Sequence, residues 1–354
     1  MDLPAGPALT ADDQAARIFA WRRGFNATWL IDLGIKLSLF ADLAAHPAST
    51  PAAIAGRLGL KQRHVEIWCQ TAYAFELLEA ATEGVFSLAP FMDQVLASPG
   101  HPRYVGGYVQ LGTDYATEDF RALRAAFATG EDKPFQGRDD QFSRHVADAT
   151  YGLQWLSARK LLPEIPAVKA ALDAGGALLE VGPGSARQLL MLAKVFPQAR
   201  LVGVDIDPVG VRIARDTVAR AGLTERISIL EGTVEDAASA GPFAAVVMVE
   251  VLHEIRQDLR AGVIAACGQA LMPGGWLLVI DETYPETLQE LRAPESRFAV
   301  QTGFEELHWG NVIPTRREQL ALLAAAGFAA PEISVMGEGF TIIQAQRPAK
   351  QTSP

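Results

Sequence analysis

Cysteine is scarce in this chain. Only Cys69 and Cys267 occur among 354 residues, and neither sits in a CxxC pair or at a zinc-finger spacing. A disulfide scaffold and a zinc ribbon are therefore excluded. Positive charge is also short: 31 Lys and Arg stand against 41 Asp and Glu, for a net charge of −10. That balance argues against a polyanion held by bulk attraction, and so against nucleic acid. Long apolar runs are missing as well. The longest, such as Ala244 to Val249, fall far below the length of a membrane span, so no membrane partner is expected. The opening stretch, MDLPAGPALTADDQ, has neither a basic region nor an apolar core, and it reads as neither signal nor transit peptide. A cytoplasmic protein is the resulting expectation.

What is present is an ordinary globular balance, 49% apolar and 20% charged. At this length two domains are the natural prior. Residues 1–13 read as frayed. Ile18, Trp21, Phe25 and Trp29 then recur at helical spacing. Thr50-Pro51 signals a helix start, a second helix carries Val65, Trp68, Ala72 and Phe75, and Val85 to Leu88 reads as a short strand. Helix, turn, helix and a small β wing is the order of a winged helix. Residues 100–160 read as helical, broken at Gly106-Gly107 and by the loop Gly130 to Asp140, a lid-like segment. Beyond residue 161 the texture changes. Apolar runs at Ala177–Val181, Leu201–Val204, Ile227–Leu230, Ala244–Val249 and Trp276–Ile280 alternate with helical patterns. That alternation predicts a doubly wound, mostly parallel α/β sheet. Glu332–Val335 and Phe340–Ala345 are placed to form an antiparallel edge pair.

The first α/β strand runs into Glu180-Val181-Gly182-Pro183-Gly184-Ser185-Ala186-Arg187. Small residues directly after a strand let a ligand approach backbone N–H groups at a helix start. A dinucleotide fingerprint needs a third glycine where Arg187 stands, and a phosphate loop needs Gly-Lys-Ser/Thr. Glu180 would repel a pyrophosphate and suits an ammonium group. Asp205, with Ile206 beside it, closes the second strand 23 residues after Gly182, where an acid accepts ribose hydroxyls. A ribose acid and an ammonium acid together describe S-adenosylmethionine (SAM).

On these residues the region 177–345 resembles the class I SAM-dependent methyltransferases, a Rossmann-like fold. Glu180, Gly182 and Gly184 match the family's glycine motif, Asp205 its ribose acid, and Met272-Pro273-Gly274-Gly275-Trp276 the turn before its fifth strand. Thr233 replaces the adenine-contacting aspartate, which leaves Val234 and Glu235 to cover the adenine, and Glu250 at the end of strand four completes the implied cofactor set. The front half, through Leu33-Gly34-Ile35 and Ile54 to Leu60, is similar to the winged-helix dimerisation domain of small-molecule O-methyltransferases. The resemblance implies a homodimer formed through that domain. The organisation expected is a dimerisation domain over 1–110, a helical linker and pocket-covering segment over 111–165, a SAM-binding catalytic domain over 166–347 and a disordered tail over 348–354.

The reacting end should lie after strands four and five. His253 falls on the histidine that serves the resembling O-methyltransferases as general base, with Glu254 after it. An imidazole accepts a phenol or carboxyl proton near neutral pH. Asp281 or Glu282, at the end of strand five, is placed to orient His253 or to meet substrate. Farther on, His308, Trp309 and Asn311 stand where the family carries a Gly-Gly-basic-Glu-Arg-Thr stretch, whose acid is absent here. Arg187, Arg256 and Arg297 are candidate partners for a carboxylate on the acceptor. Three readings stay open. The first is O-methylation of a small-molecule acceptor with His253 as base. In the second, His253, His308 and Glu254 (or Glu282) hold a divalent transition metal for C-methylation of an α-keto acid, as in some similar bacterial enzymes. The third is a SAM-binding regulator without catalysis. DNA is disfavoured, since residues 1–110 hold eight Lys and Arg against ten Asp and Glu.

Overall fold

A computed structural model describes residues 9–349, apart from Phe135 and Glu338. Two compact units meet at Asp114 and Tyr115. The expected covering segment 111–165 therefore falls almost wholly within the second unit. The expected tail lies outside the described residues from 350 onward, as do residues 1–8 of the expected frayed start.

In the first unit, helix Ala11–Lys36 begins earlier than the sequence suggested. Thr10 and Asp13 form a reciprocal cap: the Thr10 hydroxyl accepts from the Asp13 N–H at 3.2 Å, and the Asp13 carboxylate from the Thr10 N–H at 2.9 Å. Helix Pro51–Leu58 is capped by Thr50 and stops at Gly59, whose φ of 67° favours glycine. Helix Gln62–Ala74 turns Val65, Trp68, Cys69 and Ala72 inward, and the Trp68 indole donates to the Leu30 carbonyl at 3.0 Å. The hairpin β1 (Leu78–Thr82) and β2 (Val85–Leu88) follows. Strand β1 escaped the sequence because Leu-Glu-Ala-Ala is helix-favouring locally, and pairing with β2 overrides that preference. Gly106-Gly107 opens helix Gly106–Leu111 rather than breaking a helix. A Cβ on Gly106 would lie 2.2 Å from the Tyr104 hydroxyl, so the glycine permits contact with that ring.

The second unit is built on seven strands: β3 (Ala177–Val181), β4 (Arg200–Asp205), β5 (Ile227–Glu231), β6 (Phe243–Val249), β7 (Leu271–Asp281), β8 (Glu332–Met336) and β9 (Phe340–Gln346). Their order is β5-β4-β3-β6-β7-β9-β8. The pairs among β3 to β7 are parallel, while β9 runs antiparallel to β7 and to β8. Side chains alternate between two cores. Leu178, Leu201, Val247 and Leu278 pack on one face, and Leu179, Val202, Val246 and Leu277 on the other. Helices cover both faces, so the strands read as continuous apolar runs. The chain leaves β3 toward β4 and β5, then crosses to β6 on the other side. That reversal opens a crevice at the carboxyl ends of β3 and β6, where such sheets bind ligands.

Candidate active site

The turn after β3 forms one wall of the crevice. Gly182 has φ 66°, and a Cβ there would lie 2.6 Å from Val251, in the turn after β6. The two loops thus meet at a position only glycine fits. Gly184, at φ 49°, has open space where a Cβ would stand, and Ala186 begins helix Arg187–Val195. Behind this turn Glu180 is 2% exposed, and its Oε2 has no hydrogen-bond partner. Burial, with the charge of Asp205 added, pushes its carboxyl up to about 8. Half-buried Asp205 is raised to about 6 by burial, against the pull of the Asp207 and Gly184 N–H groups at 2.9 and 3.4 Å. A buried acid with an unpartnered oxygen suits an ammonium group, and an acid at the end of the next strand suits ribose hydroxyls; SAM carries both groups, so Glu180 and Asp205 fit it.

Other expected cofactor contacts are placed differently. Ile206 is exposed beside Asp205. Val234 is 3% exposed and belongs to the core with Val181 and Val204. The Thr233 N–H and hydroxyl both donate to Asp236, at 2.8 and 3.1 Å. The acid of that loop therefore caps its own turn. Glu250, expected on the cofactor, stands with the reacting-end groups: its carboxylate and ligand atoms of His253 and Asp281 lie within 4.8 Å of one another. Its φ of 58° is a left-handed conformation uncommon for a residue with a side chain.

His253 is 2% exposed and held from two sides. Its Nδ1 lies 2.6 Å from Asp281 Oδ1, and its Nε2 lies 3.4 Å from Glu306 Oε2. Asp281 is fully buried and also accepts the N–H groups of Leu252 at 2.7 Å, His253 at 3.3 Å and Glu282 at 2.7 Å. A carboxylate so surrounded accepts a hydrogen bond from the Nδ1–H, which keeps the proton on Nδ1 and leaves Nε2 as the reactive nitrogen. Burial alone would lower the imidazole pKa. The charges of Asp281 and Glu306 outweigh it and raise His253 well above its ordinary value. Asp281, rather than Glu282, is thus the orienting acid. Glu282 is 1% exposed and accepts from the Thr302 hydroxyl at 3.0 Å. Half-buried Glu254 is raised by burial and lies within the fields of His253, Glu306 and Asp205.

The acid missing from the family's stretch is supplied by Glu306, in a 3-10 turn at Glu306–Trp309. Asn311 steadies Glu306 by donating to it at 3.0 Å. In such a turn residues i and i+3 share a face, which puts Trp309 on the side of Glu306. The Trp309 indole donates to Asp119 at 3.1 Å. His308 is buried, with both ring nitrogens unpartnered, and its carbonyl accepts from the Lys133 N–H at 2.8 Å. The expected metal set of His253, His308 and Glu254 is not assembled. Among the described residues the group that forms is Glu250, His253 and Asp281, and Asp281 already has four donors.

Two arginines escaped the sequence reading. Arg260 is fully buried, donates to the carbonyls of Ile255, His253 and Val312, and pairs with Glu318 at 2.9 Å. It ties the loop after β6 to the segment behind Glu306. Arg138 pairs with Asp119 at 2.9 Å and lies 5.0 Å from the Phe142 ring centroid and 5.3 Å from that of Trp309. The loop holding Arg138 also donates from the Gly137 N–H to Asp207 at 3.0 Å. Phe135 of that loop lies outside the described residues. The arginines expected to meet a carboxylate are otherwise placed: Arg187 pairs with Asp148, Arg256 with Asp258, and Arg297 is exposed.

The family model of the methyltransferase domain matches residues 178–275. The 3-hydroxy-5-methyl-1-naphthoate 3-O-methyltransferase of Streptomyces sahachiroi is 29% identical over 273 residues, which are 72% of this chain and 74% of that protein. Human N-acetylserotonin methyltransferase, solved with SAM, superposes with a TM-score of 0.75 at 18% identity, over 97% of this chain and all of that one. An O-methyltransferase family protein from Burkholderia thailandensis gives 0.72 at 18% identity, with the same coverage. The chain is a SAM-dependent methyltransferase of class I. Over most of its length it is similar to small-molecule O-methyltransferases, and it shares their fold of a helical N-terminal region before a mainly parallel sheet.

Proposed function

We propose that methyl transfer goes to a hydroxyl oxygen of a small aromatic acceptor, with His253 Nε2 taking its proton. The observation that carries this reading is the 2.6 Å contact of Nδ1 with buried Asp281, which fixes the tautomer. SAM, when bound, supplies an electrophilic methyl group. Glu180 and Asp205 hold its cationic and ribose ends. An acceptor hydroxyl entering beside Nε2 displaces Glu306, which weakens the field that keeps the imidazole protonated. The proton then moves from the acceptor oxygen to Nε2, and Asp281 stabilises the imidazolium. Trp309, on the side of Glu306, supports an aromatic acceptor, and the naphthoate relative is named for an aromatic hydroxyl. The test is product analysis by methyl NMR after incubation with SAM and a panel of phenols, naphthols and hydroxylated aromatic acids. An O-methyl ether is expected, and a product methylated at carbon would overturn the reading.

The first unit serves as a winged-helix-like dimerisation domain in this reading. Ile18, Phe19, Trp21 and Phe25 on helix Ala11–Lys36 are 57–64% exposed, a patch large enough to need cover. A second copy of the chain supplies it, in a cytoplasm that leaves both buried cysteines free. No helix among the described residues is long and apolar enough to cross a membrane. Light scattering at micromolar concentration should give a dimer, and a Trp21→Asp, Phe25→Asp variant should give a monomer.

A further inference from the structure

The acceptor side of the crevice holds more acidic groups than its surroundings pair. Asp281 is satisfied by four donors, and Glu306 by Asn311 and His253. Glu250 and Glu282 lack such company. Glu250 Oε1 and Glu282 Oε2 are shut away from solvent without a hydrogen-bond partner. Glu282 is 1% exposed, and its other oxygen takes only the Thr302 hydroxyl. Among the described residues no Lys or Arg pairs with either acid. Arg316 bonds to Thr341 instead. Glu250 has its carboxylate within 4.8 Å of ligand atoms of His253 and Asp281, and Glu282 follows Asp281 in the chain and donates its N–H to it; burial first, then the charges of Asp281, Glu282 and Glu306, lift Glu250 well above the usual carboxylate range. A buried carboxylate without a partner is costly, and a second one beside it adds repulsion.

We propose that the side-chain cluster of Glu250, Glu282 and His253 is a cation subsite, taken by an ammonium group of the acceptor or by a divalent metal ion. The proposal rests on the reading of His253 as the reacting-end imidazole. An ammonium offers three donors and suits two orphan carboxylate oxygens. A metal ion would take the same oxygens as ligands and polarise an acceptor oxygen. From either source the added positive charge draws the His253 pKa down, which frees Nε2 to accept a proton. The subsite also sorts acceptors: a hydroxyl compound bearing an amine is favoured over its neutral counterpart when the ammonium is the source.

The test compares wild type, Glu250→Gln and Glu282→Gln, all saturated with S-adenosylhomocysteine. Mn2+ uptake is followed by its electron paramagnetic resonance signal. Binding of tyramine and of neutral 4-ethylphenol is followed by calorimetry. Wild type should take up Mn2+, or bind tyramine at least tenfold more tightly than 4-ethylphenol, and both variants should lose that preference by tenfold or more. The probe that binds identifies the source. Without any cation, both variants should melt above wild type, because repulsion is relieved. Absence of both Mn2+ uptake and tyramine preference overturns the subsite, as do variants that match wild type or that both melt lower. Binding of S-adenosylhomocysteine is measured on the same samples. Its loss in wild type would strike the cofactor reading instead, so the two failures are distinguishable.

Discussion

The two halves of the crevice are built in different ways. The cofactor half is a backbone construction: Gly182 and Gly184 hold a turn whose positive-φ glycines and open space shape the cleft, and two acids, Glu180 and Asp205, stand beside it. The acceptor half is a side-chain construction. His253, Asp281, Glu306 and Arg260 come from four separate stretches and are fixed by contacts between them. A ligand that never changes can be met by a rigid turn. A ligand that differs between relatives is met by groups that can be exchanged one at a time.

The largest effect expected separates the halves outright. His253→Gln should lower kcat by about 10²–10⁴-fold, with S-adenosylhomocysteine affinity within about twofold of wild type by calorimetry. A parallel loss of cofactor affinity would merge the two halves.

Next comes the pH profile of kcat. Because His253 is raised by Asp281 and Glu306, its free base forms at higher pH than that of an ordinary imidazole, and the rate should climb with it. Glu306→Gln removes one raising charge, so the climb should move down by roughly one unit or more. An unmoved limb would show that Glu306 does not reach Nε2 in solution.

The smallest effect belongs to the cofactor half. Glu180 and Asp205 have folded pKa values near 8 and 6, above those of the unfolded chain. The native state then binds more protons, so the ligand-free protein should lose stability as pH rises from about 4 to 8. A cationic ligand favours the ionised acids, so SAM affinity should rise between pH 6 and pH 8. Glu180→Gln should weaken SAM by about tenfold at pH 8 and flatten that rise, as read by calorimetry across pH.

The same contrast explains what the sequence revealed. The cofactor half spans a short stretch, so Glu180, Gly182, Gly184 and Asp205 were legible from spacing alone, as were the strands that carry them. His253 was legible because it follows a strand end. Its partners were not: Asp281 stood beside Glu282 with nothing to choose between them, and Glu306 lies 53 residues beyond the histidine it faces. Glu306 precedes the stretch where an acid was sought, so widening that window would have found it. Val234 packs in the core with Val181 and Val204, a burial that spacing does not reveal because an apolar residue in a loop fits a ligand face as well as a core. Strand β1 was hidden by helix-favouring composition.

The Arg260 guanidinium knots the turn after β6 to the chain leading to Thr315, and it reaches three carbonyls and one carboxylate. Those two segments cannot open independently. Their amides should exchange with deuterium at one shared rate, as a single cooperative unit of local unfolding, slower than the strap around Gly137.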